Sequence, residues 1–289
     1  MTTAHTRKAA AAVAHGSATA ERYYQRFDTY HRITHILLMV SFLGLAFTGL
    51  PLRFSDHQWA STLARILGGF EAAGLLHRLC AIVMIGVFVG HIARVVQRVY
   101  VEKDYSVLWG PSSMVPQPRD LVEMFQHFRW FVGLGPRPRF DHFTYWEKFD
   151  YWAVFWGMFI IGGSGLMLWF PTIFAHVVPG WAFNIAMLVH GEEALLAVGF
   201  IFTIHFFNGH LRPEKFPMDL VAFTGRVPEH ELRDERPAEW DRLRAEGRLG
   251  RFESTPPSER SILLGRALGT VAVTLGLTMV ALIIWALVR

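Results

Sequence analysis

Cysteine is almost missing from this chain: Cys80 is the single one in 289 residues. One thiol excludes an internal disulfide framework, a CxxC zinc or iron–sulfur site, and the CxxCH attachment of a c-type haem. Charge is scarce as well, at 18% of residues, where soluble domains carry about 25%. No glycine-rich nucleotide or flavin fingerprint occurs, which argues against a self-contained NADPH-dependent reductase. The first twenty residues, Met1–Ala20, lack the leucine-rich core of a signal peptide, so they are expected to be retained as a mobile tail.

Apolar surface takes the place of what is absent: 52% of residues are hydrophobic, 24 are Phe and 10 are Trp, and the mean hydropathy is +0.27. Crossing about 30 Å of hydrocarbon takes roughly 20 helical residues, and five segments qualify, 31–52, 75–98, 149–171, 183–208 and 262–288. The third and fifth are plain spans, free of Asp, Glu, Lys and Arg over Tyr151–Phe174 and Ala267–Val288. The first, second and fourth carry His near their ends, and the fourth also holds Glu192 and Glu193. Such groups are costly in lipid and are expected to line a protein interior.

The predicted fold is therefore an all-α integral membrane protein, a four-helix transmembrane bundle plus a fifth C-terminal transmembrane helix. Its divisions are a tail over 1–29, the bundle over 30–219, a charged segment over 220–261 and the last span over 262–289. Asp56–Phe70 suits a short helix on the membrane surface or a folded loop. The Pro-containing stretch Gly110–Pro138 reads as a structured loop with a short helix over Asp120–Phe131. Arg226–Arg260 holds eight basic and nine acidic residues in 35 and reads as solvated, with a helix across Pro237–Glu246.

A net charge of +4 and a pI of 9.4 could indicate a nucleic-acid partner, but the basic residues cluster beside the spans, so none is expected. Lys and Arg divide 24 to 4 between the two sides of such a bundle. That asymmetry predicts a cytoplasmic N-terminus, cytoplasmic loops over about 99–148 and 209–261, and an external C-terminus. A bacterial inner membrane, with lipid as a partner, is the expected location.

Histidine carries the chemistry. His77 and His91 are fourteen residues apart on span two, roughly 21 Å along a helix and on nearly one face. His190 and His205 repeat the arrangement on span four at fifteen residues, about 60° from alignment. Both spans run in the same direction, so His77 can meet His190 at the outer level, while His91 and His205 lie at the inner level beside His31, His35 and His210. In α-helical geometry His210 stands about 140° around from His205, too far for both to face one group.

Paired imidazoles on facing helices are what the two axial positions of an electron-transfer haem require. A lone His at a helix end is more often a packed or solvated residue. Two spans that each bear a pair at four-turn spacing are much harder to obtain by chance. Gly44, Gly49, Gly86, Gly90, Gly191 and Gly199 would give a porphyrin room, and Arg78, Arg94 and Arg98 are candidates for pairing with its propionates. Glu192 and Glu193 read as the polar rim of the outer pocket. From spacing alone, His91 and His35 compete as partners of His205.

The segments RITHILLMVSFLGLAFTG, LLHRLCAIV, HGEEALLA and HFFNGHLRPEKFPMD resemble the di-haem cytochrome b subunits of formate dehydrogenase (gamma subunit), nickel–iron hydrogenase and thiosulfate reductase, over about Tyr30–Asp219. The resemblance implies two haem b groups, the outer one on His77 and His190 and the inner one on His35 and His205. It also implies a subunit of a quinone-linked oxidoreductase complex in a respiratory chain. Such a subunit passes electrons between menaquinone or ubiquinone and an external iron–sulfur or multihaem cytochrome c subunit. The chain departs from the family in three respects: the extra His91, the fifteen-residue spacing of His190 and His205, and the fifth span. His91, facing the same way as His77, is the first candidate for the quinone site, with Asp28, Tyr30 and His31 nearby. The competing readings are a structural membrane anchor and a proton or solute transporter, and against the latter no paired broken-helix signature is seen.

Overall fold

The computed structural model describes residues 21–288; the expected mobile tail Met1–Ala20 lies outside the described residues. The helices in chain order are α1 (Thr29–Arg53), α2 (Gln58–Ile66), α3 (Phe70–Tyr100), α4 (Pro118–Phe131), α5 (Tyr145–Trp169), α6 (Trp181–Leu211), α7 (Glu229–Glu235), α8 (Pro237–Ala245) and α9 (Glu259–Val288). Five of them, α1, α3, α5, α6 and α9, are long and apolar enough to cross a membrane, so the chain has the all-α, multi-pass character that its hydropathy predicts. Each starts or ends where the predicted segments do, to within a few residues. The three shorter helices expected are found as α2, α4 and α8.

Local chemistry sets the helix starts. Asp28 caps α1 by accepting from the backbone N–H of His31 at 2.9 Å, and Thr144 and Glu147 form a reciprocal capping box at the start of α5, each satisfying donors that the first turn leaves free. α1 packs along α3, and α5 along α6. α9 then lies against α1 and α6, and its residues Met279, Ile283 and Ala286 join Leu50, Phe54, Ala60, Phe202 and Phe206 in one buried cluster. The approach is close enough that a Cβ on Gly276 would stand 2.6 Å from Phe206 and 2.7 Å from Phe202.

Two of the spanning helices are not uniform. α5 is π-helical over Met158–Gly162, and α6 over Ile201–His205 and again over Phe207–Leu211. In i→i+5 winding a segment absorbs an extra residue without advancing the face it presents. The fifteen-residue interval from His190 to His205 is thereby brought toward the fourteen-residue interval of α3. The same winding revises one expectation: five residues make about one π turn, so His210 follows His205 on one side of α6 instead of standing 140° away. Both are electrostatic neighbours of His35.

The end of the bundle where α1 begins is closed by a folded cap. Strand β1 (Tyr23–Gln25) pairs antiparallel with both β2 (Arg226–Pro228) and β3 (Glu253–Ser254). The chain turns into β2 at Gly225, with φ +75°, where a Cβ would stand 2.3 Å from the Phe27 carbonyl oxygen, so only glycine fits. Tyr24, Val221, Val227 and Leu232 form a small core under the sheet. The segment expected to be solvated does expose most of its charges, but it is also built into the structure, with Arg236 and Glu239 turned inward. Arg26, its side chain 7% exposed, bonds Glu239 at 3.1 Å, and buried Arg236 bonds Glu147 at 2.9 Å. Burial alone would raise the Glu239 pKa, but the hydrogen bond from His142 and the charges of Arg26 and Arg236 outweigh it and hold the carboxyl at about 2. Lys148 and Asp120, both buried, pair at 2.8 Å and tie α5 to α4.

Candidate haem-binding site

At the end of the bundle opposite the cap, α3 and α6 bring His77 and His190 face to face, with ring centroids 6.2 Å apart and planes at 76°. Each ring is held by the helix beside it in the same way. His77 Nδ1 lies 3.2 Å from the Leu45 carbonyl oxygen and 3.1 Å from Thr48 Oγ1. His190 Nδ1 lies 2.9 Å from the Ile161 carbonyl oxygen and 3.4 Å from Ser164 Oγ. Both hydroxyls give their own proton to a carbonyl one turn back, Gly44 and Ile160, at 2.6 Å. A carbonyl can only accept, so Nδ1 carries the proton in both rings, and Nε2 keeps its lone pair.

Glycine completes each cradle. A Cβ on Gly49 would stand 3.1 Å from His77 Cε1, and one on Gly165 would stand 2.9 Å from His190 Cε1. The imidazoles are thus pressed against bare backbone, with the tautomer fixed by an outer hydrogen bond, as metal-ligating histidines usually are. Two imidazoles bound to opposite sides of one iron, each through a metal–nitrogen bond of about 2 Å, have ring centres about 6 Å apart, which the observed separation matches. Among the described residues no three His, Cys, Asp or Glu side chains converge on one point. A facing pair of imidazoles is a donor set that suits a metal bringing its own equatorial ligands, and a porphyrin iron does so. The residues present fit a haem.

The other end of the bundle is arranged differently. His205 Nδ1 lies 2.9 Å from Asp150 Oδ2, a carboxylate–histidine pair that leaves Nε2 available. His35 packs edge-on against Phe223 at 6.4 Å, and its Nδ1 is buried with no hydrogen-bond partner among the described residues. His91 directs Nε2 to the Tyr151 hydroxyl at 2.9 Å and is flanked by Phe155. The nitrogen most suited to a metal is therefore engaged in His91 and not in His205. His31, half exposed, pairs with Asp28 at 2.8 Å.

The arginines divide as well. Arg78 stands over the Trp169 ring at 5.8 Å. Arg94 is bonded to Glu102, and Arg98 to Asp104 with Nε at 3.2 Å, so both candidates for propionate pairing already hold carboxylates from the turn that follows α3. Arg53 is a cation that sequence reasoning did not single out. It bonds Glu192 at 2.8 Å, and its Nε would stand 3.3 Å from a Cβ on Gly191, the neighbour of His190. Glu193 accepts from Trp156 Nε1 at 3.2 Å. The remaining residues missed from sequence are Leu45, Thr48, Ile161, Ser164, Asp150 and Tyr151. Only the hydroxyls, each directly before a glycine in LAFTG and IGGSG, leave any signal there. No protein-family model and no curated protein matches this chain.

Proposed function

We propose that this chain is the di-haem cytochrome b subunit of a membrane oxidoreductase, passing electrons between a quinone and a redox partner on the opposite face. The observation that carries the reading is the facing pair His77 and His190, each locked as the Nδ1–H tautomer against a backbone carbonyl. His77 and His190 would hold the group, and a haem bound there would supply a one-electron carrier.

The chain's own residues then have distinct tasks. Leu45, Thr48, Ile161 and Ser164 orient the outer ligands, and Arg78, with no carboxylate partner among the described residues, brings positive charge to the same end for propionates. At the inner level His205, polarised by Asp150, is one ligand and His35 the other. The engagement of His91 by Tyr151 favours His35 over His91 for that role. His91 and Tyr151 instead form a hydrogen-bonded donor–acceptor couple of the kind that a quinone carbonyl needs for proton exchange. The 24 to 4 distribution of Lys and Arg supports a cytoplasmic cap and a bacterial inner membrane location. An iron–sulfur or multihaem cytochrome c subunit would then meet the outer end over Pro51–Gly74 and Pro171–Phe183, where Ile66, Ile173 and Val177 are 75%, 63% and 77% exposed.

The test is a reduced-minus-oxidised spectrum with redox titration of the purified protein and its variants. Two low-spin b haems are expected, with His77→Ala and His190→Ala each losing the same one. Absence of haem, or two haems retained in both variants, overturns the proposal. His91→Gln is expected to keep both haems and slow quinol-dependent reduction.

A further inference from the structure

α4 belongs to neither the bundle nor the sheet, and one of its faces has no protein partner. Leu121, Phe125, Phe128 and Val132 recur at helical spacing and are 60%, 64%, 56% and 69% exposed. The opposite face is fixed to the protein: Asp120 is paired with Lys148, and buried His127 is stacked on Trp146 and bonded to Tyr145 at 3.1 Å. The apolar row is therefore held outward by the packing of its other side. Such a face calls for an apolar surrounding.

The level at which it sits identifies that surrounding. Immediately before α4, the Met114 carbonyl accepts from Trp152 Nε1 at 3.0 Å, and Trp152 lies two turns inside the spanning helix α5. Trp152 shares an exposed face with Phe149, Trp156 and Phe159, an aromatic side of a helix long and apolar enough to cross a membrane. The approach to α4 thus runs along that aromatic side, bonded to an indole two turns inside the helix, where indoles suit a membrane interface. Arg129, on the polar border of the apolar row, donates to the Leu134 carbonyl at 3.1 Å, and Arg137 stands over Trp130 at 5.7 Å. Among the described residues neither has a carboxylate partner.

We infer that α4 is an interfacial helix, seated in the bilayer leaflet on the cap side with its Leu121–Val132 row among acyl chains and Arg129 and Arg137 on anionic lipid headgroups. Through the Lys148–Asp120 pair it anchors the cap to the membrane beside the start of α5. The inference stands whether or not the bundle carries haem.

Spin labels test it in the full-length protein, in a Cys80→Ser background reconstituted into vesicles containing phosphatidylglycerol. With Phe125→Cys and Phe128→Cys, collisions with oxygen are expected to exceed those with an aqueous nickel chelate several-fold relative to Gln126→Cys on the polar border. All three sites are exposed, so substitution leaves the packing intact. Chelate-dominated collisions at 125 and 128 place the helix in water and overturn the inference. Exclusion of both reagents means a protein covers the row, and overturns it equally. Arg129→Gln with Arg137→Gln is expected to reduce the phosphatidylglycerol that copurifies, and unchanged retention overturns the headgroup assignment.

Discussion

Gly165→Ala sets two well-understood effects against each other. In a helix interior the substitution favours the folded chain by about 1 kcal/mol. The added methyl, however, would stand 2.9 Å from His190 Cε1 and 3.3 Å from Nδ1, where carbon atoms in contact prefer about 3.5–4.0 Å. The ring must retreat from α5 by about 0.6–1 Å. Because the Ile161 carbonyl is on that same helix, its 2.9 Å bond to Nδ1 lengthens to about 3.5 Å or more and ceases to be a hydrogen bond. A displacement of that size is also a large part of a metal–nitrogen bond of about 2 Å. The expected result is a variant that folds at least as well as the parent but loses the outer haem, while the inner one keeps its spectrum. Gly49→Ala is milder, with 3.1 Å to His77 Cε1, and should weaken the site without emptying it. Gly163→Ala, with nothing within 4 Å of its Cβ position, is the control. Haem per protein by pyridine haemochrome, with redox titration, reads all three. Two haems at parental potentials in Gly165→Ala would refute the cradle.

Three further outcomes follow from named contacts. Asp150→Asn removes the carboxylate from His205 Nδ1 and should weaken inner-haem retention by about 10–100-fold while raising that haem's midpoint potential, with the outer haem unchanged in the same titration. Lys148→Met leaves Asp120 buried without its cation, which costs about 3–5 kcal/mol; a thermal melt should show the loss, and adding Asp120→Asn should recover most of it. Burial pushes the Glu123 carboxyl up to about 7 against the opposing charge of Arg119, so the folded cap holds a proton that the unfolded chain releases near pH 4.5. Its contribution is full below that pH and declines as pH rises toward 7, so Glu123→Gln should flatten the pH dependence of the melt between 5 and 8.

How much of this was legible beforehand depended on whether the signal was local. The five spans follow from runs of apolar side chains, and lipid imposes that pattern directly on sequence. The His77 and His190 level was legible because a helix repeats its face every 3.6 residues. The cradle was not, since its acceptors are the carbonyls of Leu45 and Ile161, which any residue provides. The relation of His210 to His205 was misjudged because π winding in α6 is a response to packing and leaves no mark in composition. The cap was misread for a different reason. Alternating charges read as solvated unless their partners are known, and Arg26 and Glu239 are 213 residues apart.

The two cradles show a duplication that the sequence conceals. Leu45, Thr48 and Gly49 on α1 hold the ring on α3, and Ile161, Ser164 and Gly165 on α5 hold the ring on α6 at the same offsets. The cradles are 116 positions apart and the histidines 113, so no fixed period appears, although the two cradles use the same offsets on α1 and α5. At the cap end the same offsets set Tyr151 opposite His35 and Ile204, one residue short of His205, opposite His91, and there the likeness fails. His91 is bonded to a phenol and His205 to a carboxylate. Under the proposed function this difference has a physical reason. An electron carrier alone asks nothing of its two sides except matching ligands, whereas exchange with a quinone moves protons as well, and needs one side to hold a hydrogen-bonding couple that is not committed to iron. On that proposal, symmetry is kept where only electrons pass and is broken where protons must accompany them.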